Sequence, residues 1–225
     1  LRGEPGLTLA FSADDAIPEE VELEATIRPA GEPDGGIAVT NGQNVAFPTL
    51  PYGDHELILV ARDWLDQESS ALVPFTYLPN EPTLAIEGID DGAILRGPVS
   101  ITAAATGFEL PAPEILLDGE PYVAGTAIVA EGGHAVSASV QDPFSQEATA
   151  ELSFTIDSTP PLIVVSGVAE GVTYEPGVAA GVEVSDATNT AAQVTMDGEA
   201  YVPGAPVTAV GHHELRVVAT DAAGN

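Results

Sequence analysis

The chain has 225 residues and a formal charge of −30, with 35 acidic side chains against five basic ones, all of them arginine. That balance argues against nucleic acid phosphate or an anionic membrane as a partner, and no stretch approaches the ~18 consecutive apolar residues that span a bilayer. No cysteine is present to staple a small core, and 23 glycines and 19 prolines without a helical apolar stripe point to an all-β chain punctuated by turns.

Residues 1–78 read as a first unit. Its opening EPGLTLAF (4–11) matches EPTLAIEG (81–88) at a displacement of 77, and Asn41-Gly42 matches Asp118-Gly119 at the same displacement. Val21–Ile27 alternates between apolar and polar residues but is one step out of phase with the next unit, which implies a local insertion. The unit closes on GDHELILVARDWLDQ, Gly53–Gln67, a strand opened by glycine and ended by an aspartate turn.

Residues 79–157 form the most complete unit. Strands are expected at Thr83–Glu87, Val99–Ala105, Glu114–Leu117, Pro121–Val123, Thr126–Ala130, His134–Gln141 and Ala148–Ile156, with Asp118-Gly119 making a tight hairpin. The period of two turns Leu84, Ile86, Val99, Ile101, Ala103, Ile115, Leu117, Val136, Ala138, Val140, Leu152 and Phe154 inward. Residues 158–225 repeat this unit without a gap: Gly88 and Gly167, Val99 and Val178, and Tyr122 and Tyr201 all stand at one constant displacement. At Asn225 the counterpart of Ala148–Ile156 is still to come, so the third unit is expected to lack its last strand. With no initiator methionine and no signal sequence at Leu1, the chain is expected to be a fragment of something longer. Proline-bearing linkers, YLPNEP (77–82) and IDSTPP (156–161), favour a stiff, elongated array.

The same displacement ties all three units together. It carries His55 to His134 and His134 to His213, and likewise Asp63 to Asp142 and Asp142 to Asp221. Each histidine opens the strand that in immunoglobulin sandwiches carries an inward ring tied to the preceding corner, two residues before a core position held here by Leu57, Val136 and Leu215. The expected fold is therefore three tandem immunoglobulin-like β-sandwiches, with His55, His134 and His213 as structural corner residues.

The segments STPPLIVVSGV (158–168), MDGEAY (196–201) and GHHELRVVATDAAGN (211–225) resemble the bacterial immunoglobulin-like (Big-type) repeats, with their leading Thr-Pro-Pro, central Asp-Gly hairpin and closing Asp-x-Ala-Gly-Asn turn. The second unit keeps the hairpin but has DPFSQ at the turn, and the first keeps less. The resemblance implies a secreted or surface-anchored bacterial protein, such as an adhesin or an extracellular enzyme, in which these repeats act as stalks and spacers.

Three groups of residues are candidates for chemistry. A metal needs ligands that converge at about 2 Å, and the three histidines belong to three different repeats, which favours the corner role over a metal site. The acidic pairs Asp14-Asp15, Glu19-Glu20 and Asp90-Asp91 lack any surrounding pocket motif and read as solvated turns. Asp90, Asp91 and Asp157, together with Asp221, are candidates for calcium at the joint between the second and third repeats, against the plainer reading of hydrated acids. No other cofactor is expected. Trp64, like Phe144 in the corresponding turn of the second unit, can either cap a domain boundary or stack on a sugar. The expected function is a non-catalytic extracellular spacer whose partners are other domains of the same polypeptide. The alternatives are a module that binds a host or matrix glycan or protein, and an accessory region of an exported enzyme.

Overall fold

In the computed structural model, which describes residues 6–13 and 21–225, every regular element is a β-strand. Asp14-Asp15 and Glu19-Glu20 lie outside the described residues. The chain falls into two compact units, one of Leu1–Leu84, Ala105–Ala112 and Val140–Ala148, the other of Ala85–Ala104, Pro113–Ser139 and Thr149–Asn225.

In the first part of the chain, β1 (Leu7–Thr8) is followed by β2 (Glu22–Pro29), β3 (Ile37–Ala38), β4 (Asn44–Val45), β5 (Gly53–Arg62) and β6 (Glu68–Tyr77). β1 pairs with β4, and the other four form an antiparallel sheet in the order β3-β2-β5-β6. Alternation along β2 places Ala25 and Ile27 on one face, with Ile27 opposite Leu57 of β5. They pack with Leu7, Val45, Leu50 and Tyr77 in a core that draws on both sheets, which makes this part a sandwich.

The middle of the chain supplies β7 (Thr83–Glu87), β8 (Ala93–Leu95), β9 (Thr102–Thr106), β10 (Glu114–Leu117), β11 (Glu120–Pro121), β12 (Gly132–Gln141) and β13 (Glu147–Ile156). β7 pairs with β9, and a five-stranded sheet runs β11-β10-β12-β13-β8. That division of strands between two sheets is the immunoglobulin-like arrangement. All twelve residues expected to face inward are buried or half-buried, and Ile128 and Ile156 join them.

The last part contains β14 (Leu162–Ser166), β15 (Val178–Ala179), β16 (Gly181–Ser185), β17 (Thr190–Met196), β18 (Glu199–Ala200), β19 (Pro206–Val207) and β20 (Leu215–Asp221). They form β14-β16, β15-β19 and β18-β17-β20, so the chain is all-β and immunoglobulin-like in tandem.

Pairing corrects the reading of the opening residues. Leu7 lies opposite Val45 as Val99 lies opposite Ile128 and Val178 opposite Val207. Within EPGLTLAF, the described residues 6–11 therefore occupy the place of the second strand of a repeat, although the sequence matches the first, Thr83–Glu87. Asn41-Gly42 moves with it. The amides of Gly42, Gly125 and Gly204 donate to the carbonyls of Leu9, Ile101 and Ala180, each at 2.8 Å, so Gly42 answers to Gly125 and not to Gly119. Short alternating runs such as LTLA and TLAI carry the same period and cannot distinguish one strand of a sandwich from the next. Further differences appear in the middle part: the expected strand Pro121–Val123 is a strand only at Glu120–Pro121, and the expected Val99–Ala105 only from Thr102. The expected strand Thr126–Ala130 is reduced to the single Val99–Ile128 bridge, and the loop Gly88–Arg96 contains β8, which lies parallel to β13.

Candidate functional site

Each repeated histidine is built into a corner. The Nε2 atoms of His55, His134 and His213 meet the carbonyl oxygen four residues earlier, of Pro51 at 2.8 Å, Ala130 at 2.9 Å and Ala209 at 3.0 Å. In the two later copies the other nitrogen is also engaged: Nδ1 lies 2.7 Å from Asp118 Oδ2 and 2.6 Å from Asp197 Oδ2. His55 Nδ1 is buried without a partner among the described residues. Burial of the His134 ring works against its charge, but the Ala130 carbonyl and Asp118 outweigh it and raise the pKa. Asp197 and the Ala209 carbonyl raise that of His213. The carboxylates respond in the opposite sense. The Ala135 amide and His134 lower the pKa of Asp118, and His213 and the Glu214 amide lower that of Asp197.

The repeated aspartates close the next turn. Asp63 Oδ1 accepts from the amides of Leu65 and Gln67, both at 2.8 Å, and Asp142 Oδ1 accepts from those of Phe144 and Gln146 at 2.9 and 2.8 Å. Asp221 Oδ1 accepts from the Asn225 amide at 2.8 Å. The side-chain amides of Gln146 and Asn225 donate both to that aspartate, at 2.7 and 2.9 Å, and to a more distant carbonyl, Pro79 at 3.3 Å and Asp157 at 2.7 Å.

One acidic cluster forms among the described residues. Asp157, Asp186 and Asp221 each offer a carboxylate oxygen, all within 4.8 Å of one another. Thr188 Oγ1 donates to Asp157 Oδ2 at 2.7 Å, and the Thr188 amide donates to Asp186 Oδ1 at 2.9 Å. Nearby, Arg96 Nε donates to Asn225 Oδ1. Asp221 is buried, which disfavours its charge, yet hydrogen bonds from the Asn225 side chain and from the backbone of Asn225, Ala223 and Gly224 prevail and lower its pKa. Three oxygens at this density suit a hard divalent cation.

Of the calcium candidates, Asp157 and Asp221 come together, but Asp90 and Asp91 are not in the group. Asp91 Oδ1 instead accepts from the Ser153 amide at 2.8 Å and from its hydroxyl at 3.2 Å, and the Ser153 amide and hydroxyl lower its pKa. The physical reason is β8. Running parallel to β13, it starts level with Phe154 and ends level with Ile156. Arg96 is thereby carried to the cluster, while Asp91 stays about 13 Å back along the strand, four residues at roughly 3.3 Å each. The repeat comparison passes over Asp186, because Gly107 stands at the equivalent position of the second unit. The available signal is Asp186-Ala187-Thr188, an aspartate poised to accept from the amide two residues on.

Trp64 is 58 % exposed and its neighbour Leu65 is 52 % exposed. The repeat displacement pairs Leu65, not Trp64, with Phe144. Phe144 lies among rings, 6.2 Å from Tyr52 and 6.2 Å from Phe108, and Phe47 stacks on Tyr52 at 5.1 Å.

No family model matches the chain, and no curated protein matches it. Among solved structures it is similar to the N-terminal eight Ig domains of Down syndrome cell adhesion molecule, with 14 % identity and a TM-score of 0.34 over 89 % of this chain and 31 % of that one. The fibronectin(III)-like modules of Clostridium thermocellum CbhA are 14 % identical, with a TM-score of 0.29 over 68 % of this chain and 91 % of theirs. A 1.5-MDa bacterial ice-binding adhesin is 13 % identical, with a TM-score of 0.27 over 91 % of this chain and 76 % of that one. The chain thus spans about a third of the length of the first of these.

Proposed function

We propose that this chain is a spacer: three Big-type immunoglobulin-like repeats, residues 1–78, 79–157 and 158–225, in the extracellular stalk of a bacterial surface or secreted protein. Its task is to hold other domains of the same polypeptide at a distance, with no catalytic step of its own. One observation carries this reading. The polar side chains that recur from repeat to repeat are turned onto the protein's own backbone, the histidines onto corner carbonyls and the aspartates onto turn amides. Polar groups used in this way serve to fix a fold.

Small-angle scattering tests the spacer. Three sandwiches of about 35 Å each, end to end, give a radius of gyration of about 30 Å, against about 17 Å for a compact chain of this length. The smaller value would overturn the reading. Within it, Asp157, Asp186 and Asp221 are the place where calcium would bind and stiffen the chain. Calcium added at constant ionic strength should then raise the melting temperature, and Asp186→Asn should abolish the rise.

A second reading rests on Trp64. An exposed indole in a turn is a stacking platform for a sugar ring, and glycan binding lost in Trp64→Ala would promote the chain from spacer to binding module.

A further inference from the structure

We propose that the pairs His134–Asp118 and His213–Asp197 are proton-dependent clamps, each locking an Asp-Gly hairpin to its histidine at or just before the start of the neighbouring strand, and that the first sandwich is built without one.

The sequence sets up each clamp in the same way. Asp118 and Asp197 occupy the left-handed region, both at φ 53°, and are followed by Gly119 and Gly198 at φ 83° and 86°. Aspartate tolerates this conformation better than most residues do. The turn brings the carboxylate over the start of the neighbouring strand, where Oδ1 accepts from the Ala135 amide at 2.9 Å in one copy and from the Glu214 amide at 2.7 Å in the other. Oδ2 then faces the imidazole Nδ1, and the backbone carbonyl faces Nε2 from the other side.

An ionised carboxylate and a carbonyl both accept hydrogen bonds and neither donates. A neutral imidazole has a single N–H, so it satisfies one of these oxygens and points a lone pair at the other from 3.0 Å or less. Only the doubly protonated ring satisfies both. Asp118 is the charged group that faces His134, whose other flank lies against Phe154 with ring centroids 5.2 Å apart. Asp197 faces His213, and the charge of His212 also acts on Asp197.

The first sandwich replaces this chemistry. β2 continues as a strand through Pro29, opposite His55, so among the described residues no turn there delivers a carboxylate to His55. Arg28 instead pairs across the sheet with Glu56, its Nε 3.0 Å and its terminal nitrogen 2.9 Å from Oε2. Because the guanidinium does not titrate in proteins, this lock does not depend on a histidine proton. His55 meets the Pro51 carbonyl through Nε2, and its Nδ1 has no partner among the described residues.

The sign follows from the direction of the shifts. The folded histidine pKa lies above 6.5, so its contribution is complete below 6.5 and disappears as pH rises through the folded value. The folded aspartate pKa lies below 3.8, so its contribution is present above 3.8 and is lost as pH falls through the folded value. The clamps are therefore tight in mildly acidic solution and loosen on the alkaline side.

The test is a histidine C–H NMR titration of the full chain, with resonances assigned by single His→Gln variants, for wild type, Asp118→Asn and Asp197→Asn. Asparagine keeps the turn conformation and can donate to a neutral Nδ1 while its oxygen still accepts the strand amide. In the wild type, His134 and His213 should titrate above 6.5. Asp118→Asn should move the His134 midpoint down by about one unit or more, equivalent to a tenfold change in proton affinity, without moving His213, and Asp197→Asn should do the reverse. Wild-type midpoints at or below 6.5, or midpoints unmoved by asparagine, would overturn the proposal. Should a variant fail to fold, the wild-type midpoints decide alone.

Discussion

At the residue scale, the repeated aspartates differ in how much depends on them. Asp142 is buried and accepts two backbone amides and the Gln146 side chain, whereas Asp63 is half-buried and accepts two backbone amides. Asp142→Ala leaves buried donors without partners and should lower stability by about 2–4 kcal/mol in urea unfolding, whereas Asp63→Ala should cost about 1 kcal/mol. A result with Asp63 the more costly would contradict this ordering. The aspartates and histidines are legible in the sequence because a fixed interval marks them. Asp186 falls outside that interval, and its role depends on tertiary proximity to Asp157 and Asp221, which sequence spacing does not encode. The partners of the histidines escape a sequence reading for a related reason: Asp118 and Asp197 read as turn formers, and nothing in an Asp-Gly pair shows that its carboxylate reaches a ring 16 residues on.

At the element scale, glycine marks where strands pass closely. A Cβ added at Gly88, at φ +105°, would lie 2.7 Å from the Ser100 carbonyl oxygen, and one at Gly167, at φ +78°, would lie 2.3 Å from that of Ala179. Both clashes are with backbone, which cannot swing aside. Gly125, at φ +78°, faces open space. Gly88→Ala and Gly167→Ala should therefore each destabilise by more than about 2 kcal/mol, and Gly125→Ala by about 1 kcal/mol, from backbone conformation alone. Thermal melts of the three variants would show whether the clash or the dihedral dominates. Core truncation gives a second measure: Phe154, 3 % exposed on β13, should lose about 3–5 kcal/mol as Phe154→Ala. Long strands such as β12 and β13 are evident from alternation, since each presents one face that is buried or half-buried along its length. β8 is not, because a strand of three residues is too short for a period, and its parallel edge pairing needs no tight turn to announce it.

At the scale of the whole molecule, charge dominates. A formal charge of −30 on 225 residues makes the folded state repel itself. Raising ionic strength from about 0.01 to 0.15 M shortens the screening length from about 30 to 8 Å, so the melting temperature should climb with sodium chloride over that range. A flat response would mean that the acids are spaced widely enough not to interact. The side-chain amides of Gln146 and Asn225 bear on how the chain responds to load. Each is a single bond to the carbonyl of Pro79 or Asp157, whereas the long antiparallel pairs β5–β6 and β2–β5 are joined by whole ladders. Under tension these latches should release before any ladder shears. A tethered molecule in an optical trap would then lengthen in small reversible steps ahead of full rupture, and Gln146→Ala with Asn225→Ala would remove those steps, so that the chain behaves as a shock absorber before it behaves as a rope.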